Sequence, residues 1–130
     1  MRNNEASAQK ILIVGASSDL REIGTSLVSD GFQIRFSNTS EAALTASQAW
    51  YPDFVIVDDT ASGFIKAFRA LNFRTPLLAR TPTRAGFAGL LDDGADDCVE
   101  RLCSVTELRA RIRSKLKYSR RPVKLTRQES

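Results

Sequence analysis

The stretch Pro52-Asp53-Phe54-Val55-Ile56-Val57-Asp58 decides the fold of this 130-residue chain. Its four central residues are apolar and it ends at a carboxylate, which predicts a fully buried strand of a parallel sheet. Comparable short runs lie before and after it, and a segment with helical spacing follows each of them. The predicted strands cover residues 10–15, 32–36, 54–57, 76–79 and 95–100.

The segments between these strands carry helix signals. Asp19 supplies a predicted N-cap, and apolar residues recur at helical spacing up to the stop at Asp30-Gly31. The other predicted helices span 39–50, 63–71, 84–91 and 104–118. Five alternations of strand and helix predict an α/β fold with helices on both faces of a parallel sheet. Ligands of such sheets collect at the carboxyl ends of the strands, so candidate site residues follow each strand.

The composition excludes several classes of function. The chain contains no histidine, which removes Ser-His-Asp triads, histidine bases and histidine-ligated metal sites. Its two cysteines are too few for a disulfide framework, so we expect a cytoplasmic protein. No apolar run approaches the roughly 20 residues that a membrane helix needs, so we expect no membrane insertion.

The net charge of +4 is distributed unevenly. Residues 1–108 carry ten basic and fourteen acidic side chains, whereas residues 109–130 carry nine basic and one acidic. We expect a flexible leader over 1–9, one domain over 10–118 and a basic tail over 119–130. The tail is read first as a linker to an output domain; direct contact with DNA or a membrane surface is the alternative.

Three stretches in order carry a family likeness: Pro52 to Asp58, Thr75-Pro76-Leu77-Leu78-Ala79-Arg80-Thr81, and Gly94-Ala95-Asp96-Asp97. With them, the span 10–118 resembles the receiver domain of two-component response regulators, most of all the kind found before winged-helix output domains. The resemblance implies a flavodoxin-like (CheY-like), doubly wound (βα)5 fold with a five-stranded parallel sheet in the order 2-1-3-4-5. It also implies a histidine kinase as partner and Asp58 as phospho-acceptor. The alternative role for Asp58 is to cap the loop after its strand.

The chain departs from the family pattern where the family binds Mg²⁺. Receivers hold this ion with an acidic pair after the first strand together with the acceptor aspartate. The matching positions are Gly15 and Ala16, followed by Ser17, and none of them supplies a carboxylate. Because Mg²⁺ requires oxygen ligands, preferably anionic, we expect weak or absent Mg²⁺ binding and no other cofactor or metal. Asp19 is a distant candidate ligand.

Further departures affect the switch and phosphate-contact positions. Thr81 matches the family's switch hydroxyl, but its aromatic partner is replaced by Cys98. Arg101 replaces the family lysine and could pair with Asp58 bidentately or turn to solvent. The proline that follows the lysine in the family is Leu102, and the loop after Asp58 is about three residues short. By strand alternation, Asp59 should point away from Asp58 and cap the loop.

The predicted dimer face uses the fourth helix, the fifth strand and the fifth helix, as in the winged-helix class. The matching positions are Phe87, Asp96, Asp97, Glu107, Arg111 and Arg113. Phe87 replaces the helix-four partner of Glu107 and is expected to be an exposed aromatic there. A solvated charged helix face is the alternative interpretation of this set.

These observations predict a pseudo-receiver that controls an output, such as transcription, through dimerisation or partner docking. It would not be an enzyme, beyond at most self-phosphorylation at Asp58. Two alternatives within the family are a conventional phospho-accepting receiver with weakened Mg²⁺ dependence and an adaptor that is never phosphorylated. A third alternative is a fragment of a nucleotide-binding dehydrogenase, because Val14-Gly15-Ala16-Ser17-Ser18 resembles the opening turn of that class.

Overall fold

The computed structural model describes the backbone of residues 8–129 and the side chains of residues 8–117. Strands and helices alternate along the chain, and single 3₁₀ turns at Asp59–Ala61 and Arg84–Gly86 follow the third and fourth strands. The strands are β1 (Lys10–Val14), β2 (Gln33–Ser37), β3 (Phe54–Asp58), β4 (Leu77–Thr81) and β5 (Asp97–Glu100). The helices are α1 (Leu20–Ser29), α2 (Ser40–Trp50), α3 (Gly63–Ala70), α4 (Phe87–Asp93) and α5 (Val105–Glu129).

All five strands are parallel and lie in the order β2-β1-β3-β4-β5, which confirms the predicted fold class. The register places Val14 beside Val57 and Asp58 beside Arg80, so the ends of β1, β3 and β4 meet at one edge of the sheet. A dinucleotide-binding half would have β3 beyond β2. In this chain β3 lies beside β1 instead. The strand order therefore does not match a dinucleotide-binding dehydrogenase, and that alternative is wrong.

Each face of the sheet has its own hydrophobic core, because successive strand residues point to opposite faces. On one face, α2, α3 and α4 cover Leu12, Val55 and Val57. On the other face, α1 and α5 cover Ile13 and Ile56. Within the described residues, no helix is long and apolar enough to cross a membrane.

Most element boundaries differ from the predicted ones by one or two residues, and three differences bear on the site or the chain end. β4 continues through Arg80 to Thr81, because this charged residue is buried and paired within the fold. The predicted helix 84–91 is divided into a 3₁₀ turn and α4, and the turn passes so close to Thr81 that a Cβ at Gly86 would lie 2.9 Å from its hydroxyl oxygen. α5 extends past the predicted end at Tyr118. The predicted leader 1–9 and tail 119–130 lie largely outside the residues whose side chains are described.

Candidate functional site

Asp58 is the last residue of β3, and its side chain is 0% exposed. The neighbouring strands β1 and β4 bring their own ends to the same edge of the sheet. The five-strand parallel topology therefore places the predicted acceptor at the position where ligands of such sheets collect. An enclosed carboxylate must be hydrogen-bonded or paired with a cation, so its partners define the site.

One oxygen of Asp58 is held by two hydroxyl groups. Ser17 Oγ donates to Asp58 Oδ2 at 2.6 Å, and Thr60 Oγ1 donates to the same atom at 2.9 Å. The Thr60 hydroxyl oxygen in turn accepts from the backbone amide of Ala16 at 2.9 Å. The sequence analysis did not identify Thr60. The available signal was Asp58 itself, because an aspartate at a turn often accepts from the backbone amide two residues on, which here belongs to Thr60.

The second oxygen of Asp58 faces two guanidinium groups. Oδ1 lies 3.4 Å from Arg80 Nη1 and 3.5 Å from Arg101 Nη2, and no donor meets hydrogen-bond geometry with it. Both contacts are therefore charge pairings at slightly long range. In a buried environment such pairings are screened less than on the surface.

Arg80 is the main site residue that the sequence analysis did not identify. Its side chain is 2% exposed, and Arg80 Nη2 donates to Asp19 Oδ2 at 2.7 Å. Because the Asp19 carboxylate is used in this pair, it makes no side-chain cap hydrogen bond at the start of α1, contrary to the capping prediction. The available signal was an arginine directly after the apolar residues 77–79, where a buried charge requires a partner.

Arg101 pairs mainly with Asp59, and its Nη2 donates to Asp59 Oδ1. The prediction that Asp59 points away from Asp58 is wrong, since one guanidinium contacts both carboxylates. Strand alternation does not apply there because β3 ends at Asp58 and a 3₁₀ turn begins. Burial lowers the pKa of Arg101, but the hydrogen bond to Asp59 and the charges of both carboxylates raise it overall.

Gly15 forms the tight turn after β1. Its φ is +144°, and a Cβ there would lie 2.5 Å from Asp58 Cβ and 3.1 Å from Thr60 Oγ1. A carboxylate-bearing side chain would therefore collide with the acceptor strand in this backbone arrangement. The turn reaches Asp58 through the Ala16 amide and the Ser17 hydroxyl instead.

These residues do not fit the Mg²⁺ ion that the receiver fold implies. The position after β1 has no room for an acidic side chain, and the space between Asp58 and the more distant Asp19 holds the Arg80 guanidinium. A second cationic group, Arg101, lies 3.5 Å from the same Asp58 oxygen that faces Arg80. Two fixed positive charges repel a divalent cation, so this donor set is unsuited to Mg²⁺.

The switch positions lie close to this cluster. Thr81 is 7% exposed at the end of β4, and its backbone carbonyl accepts from the Arg101 amide at 2.8 Å. Cys98 is buried in the core below α4, and burial raises the pKa of its thiol. Phe87 is half-buried rather than exposed as predicted, because its ring packs against this core and lies beneath the Arg84 guanidinium.

Part of the predicted dimer face forms one charged cluster. Arg111 Nη1 donates to both oxygens of Asp97, at 3.2 and 3.0 Å, and Arg111 Nη2 donates to Glu107 at 2.8 Å. Hydrogen bonding to these carboxylates raises the pKa of Arg111. We call Asp97, Glu107 and Arg111 the β5–α5 charge cluster.

The other two charged residues of the predicted face lie elsewhere. Asp96 Oδ2 accepts from Arg69 at 3.0 Å and from the backbone amide of Leu77 at 2.8 Å, so Asp96 is held toward α3 and β4. Arg113 lies near Asp30 at the end of α1, where its charge helps to lower the pKa of that carboxyl. The structure therefore brings three of the five predicted charges together.

The whole fold is shared with several solved structures. The receiver domain of a Francisella response regulator superposes with a TM-score of 0.79 at 19% identity, covering 85% of this chain and 98% of that one. A CheY-like response regulator receiver protein from Methanospirillum hungatei superposes with a TM-score of 0.80 at 18% identity, covering 89% of this chain and 99% of that one. A two-component response regulator from Clostridium difficile superposes with a TM-score of 0.76 at 20% identity, covering 84% of this chain and 96% of that one.

No family model matches the sequence, and no curated protein matches it. At these identities the likeness establishes the fold.

Proposed function

We propose that this chain, which has the fold of response regulator receiver domains, is a signalling domain that works as a pseudo-receiver. It would adopt its signalling conformation without Mg²⁺ and without phosphorylation, and would act by docking to a partner or to a second copy of itself. The output it controls would be an attached or bound module, with transcription as the favoured case. It is a signalling domain and not an enzyme.

The observation that carries this proposal is the closed environment of Asp58. Phosphoryl transfer to a carboxylate requires an accessible oxygen and a cation that neutralises the charge of the incoming group. Here Oδ2 accepts two hydroxyl hydrogen bonds, and Oδ1 faces two guanidinium groups. Both oxygens are therefore already engaged, and the carboxylate has no exposed surface.

A conventional phospho-acceptor is the second candidate, and one observation favours it. Arg80 and Arg101 could stabilise the charge of a phosphoryl group on Asp58, since guanidinium groups bind phosphate oxygens well. This function would require the Asp58 side chain to turn out of its present contacts. It would also require the histidine kinase partner that the sequence resemblance implies.

The β5–α5 charge cluster is the proposed docking surface, with a homodimer through α4, β5 and α5 as the first model. Asp97, Glu107 and Arg111 carry charges of both signs on one surface, which suits a self-complementary contact across a two-fold axis. We place the protein in the cytoplasm, because Cys98 and Cys103 are both free thiols.

Amide chemical shifts test the proposal directly. A ¹⁵N-labelled sample of the native chain is titrated with MgCl₂ and then with beryllofluoride, a phosphoryl mimic. We expect no saturable shifts at Asp58, Thr60 or Thr81. Saturable shifts at these residues that disappear in the Asp58→Asn variant would show a conventional receiver and would overturn the pseudo-receiver proposal.

A further inference from the structure

The Arg80 guanidinium lies between two carboxylates that belong to different parts of the chain. Nη2 is 2.7 Å from Asp19 Oδ2 at the start of α1, and Nη1 is 3.4 Å from Asp58 Oδ1 at the end of β3. The arginine itself is on β4 and is 2% exposed. One buried cation thus joins three elements at the edge of the sheet where a receiver would bind its metal.

We infer that Arg80 is a built-in cation, which takes the place of the divalent ion and keeps that ion out. This inference rests on the proposed function and adds the device that makes the site independent of Mg²⁺. An arginine side chain stays charged at every physiological pH. Unlike a bound metal ion, it is covalently attached and cannot leave the site. The site would therefore be permanently in its cation-filled arrangement.

The two carboxylates around Arg80 differ in how far other donors satisfy them. Asp58 Oδ1 is buried and lacks a hydrogen-bonding donor, while Oδ2 has two hydroxyl donors. Asp19 is about half exposed, and Arg80 is the only described side chain that hydrogen-bonds to it. Removal of the Arg80 guanidinium would leave two carboxylates facing one space, with Arg101 as the remaining cation near Asp58 Oδ1.

A neighbouring cavity could extend that space. It has a volume of about 60 Å³ and is lined by Arg80, Asp19 and Arg101, and removal of the Arg80 guanidinium would open it toward Asp58 Oδ1. A water molecule occupies about 30 Å³ in the liquid, so the cavity together with the volume of a deleted guanidinium would hold an ion and a few waters. Mg²⁺ commonly binds through one or two carboxylates while it keeps several waters.

The inference predicts that substitution of Arg80 converts a metal-insensitive domain into a metal-responsive one. The test variant is Arg80→Met, which keeps an unbranched apolar stem on β4 and removes the charge. Thermal unfolding is followed with increasing MgCl₂, against NaCl of equal ionic strength. We expect the variant to melt below the native chain and to gain about 5 °C or more at saturating MgCl₂.

Arg101→Met is the matched control, because Arg101 Nη2 is 3.5 Å from the same Asp58 oxygen but lies on the exposed side, against Asp59. We expect no saturable MgCl₂ response in this control or in the native chain. The double variant Arg80→Met/Asp19→Asn should lose the response. An unresponsive Arg80→Met, or an equal response in Arg101→Met, would overturn the inference.

The two proposals fail in different ways. A saturable MgCl₂ response in the native chain would overturn the proposed function, whereas an unresponsive Arg80→Met beside an unresponsive native chain would overturn only the built-in cation. If Arg80→Met does not fold in NaCl, refolding in MgCl₂ gives the same information. Recovery only in MgCl₂ would support the inference, and no recovery in either salt while Arg80→Lys folds would contradict it.

Discussion

The Ser17 hydroxyl donates a 2.6 Å hydrogen bond to Oδ2 of Asp58, and this bond fastens the loop after β1 to the end of β3. In the receiver pattern that loop carries acidic residues which approach the acceptor through a shared cation. Here the loop approaches the same carboxylate directly as a donor. The site is consequently closed by neutral hydroxyls on one oxygen and by fixed cations on the other.

Both the charge and the hydrogen-bond acceptors of Asp58 should contribute to stability. Asp58→Asn keeps an acceptor for Ser17 and Thr60 but removes the charge that faces Arg80, so we expect a loss of about 1–3 kcal/mol in unfolding free energy. Asp58→Ala removes both the charge and the hydrogen-bond acceptors, so we expect it to lower the unfolding free energy by about 3–5 kcal/mol. Urea unfolding followed by circular dichroism measures both values.

The control for Asp58 is Asp92→Asn, which removes a carboxylate from an exposed position on α4. The unfolding free energy of this variant should stay within about 0.5 kcal/mol of that of the native chain. If Asp58→Ala costs no more than Asp92→Asn, the contacts around Asp58 do not stabilise the fold.

Gly15 should tolerate no side chain. Gly15→Ala would place a Cβ 2.5 Å from Asp58 Cβ at a φ of +144°, so we expect a loss of about 3 kcal/mol or more. Gly31→Ala is the matched control, because its φ is +99° but nothing lies within 4 Å of the added Cβ. It should lose only about 1–2 kcal/mol from backbone strain. Equal losses in the two variants would show that close approach to Asp58 is unimportant.

The β5–α5 charge cluster should control self-association if it is the dimer surface. Arg111→Ala removes the donor that now contacts Asp97 and Glu107, and we expect dimerisation to weaken about tenfold or more in sedimentation equilibrium. Arg113→Ala, beside Asp30, should leave the association unchanged. A native chain that remains monomeric at high concentration would contradict the dimer model outright.

The ion pair between Asp30 and Arg109 should make stability fall in acid. Arg109 Nε and Nη2 donate to the two oxygens of Asp30 at 2.7 and 2.5 Å, and these bonds lower the pKa of Asp30 below its ordinary value of 3.8. The unfolded chain then binds a proton more readily than the folded chain. The contribution of this pair is therefore complete above about pH 5 and is lost as pH falls through the lowered pKa.

Unfolding of the native chain and of Asp30→Asn between pH 2 and 7 measures this effect. The difference in stability between them should be constant above about pH 5 and should shrink below pH 4. Asp53→Asn is a useful comparison, because Asp53 accepts from a backbone amide and has no described arginine partner. A difference that does not depend on pH would rule out the proposed role of the Asp30 carboxylate.

Both cysteines should react slowly in the folded protein. Burial raises the pKa of Cys98 and of Cys103 above the ordinary value of 9.0, and the thiolate is the reactive form. At pH 8 we expect each thiol to react with a disulfide reagent about tenfold or more slowly than in urea. The Cys103→Ser variant isolates Cys98, which is only 6% exposed and should be the slower of the two. Rapid reaction of Cys98 in the native state would show that the core beneath α4 opens.

The sequence by itself determined the layout of the fold. Short apolar runs such as Phe54–Val57, each followed by a helical repeat, fix a parallel sheet because only buried strands and their covering helices satisfy both patterns. The position of Asp58 at a strand end followed from the same local pattern. So did the absence of carboxylates at Gly15 and Ala16, which can be read directly from the residues.

Only the tertiary structure decided which groups meet at Asp58. Arg80 and Asp19 are 61 residues apart, and no local sequence pattern indicates that their side chains form an ion pair. The outcome depends on the register of β3 and β4 and on how α1 lies across the sheet, both set by the packing of the whole core. The same packing placed Asp96 in an ion pair with Arg69 and brought Arg113 near Asp30, whose ion-pair partner is Arg109.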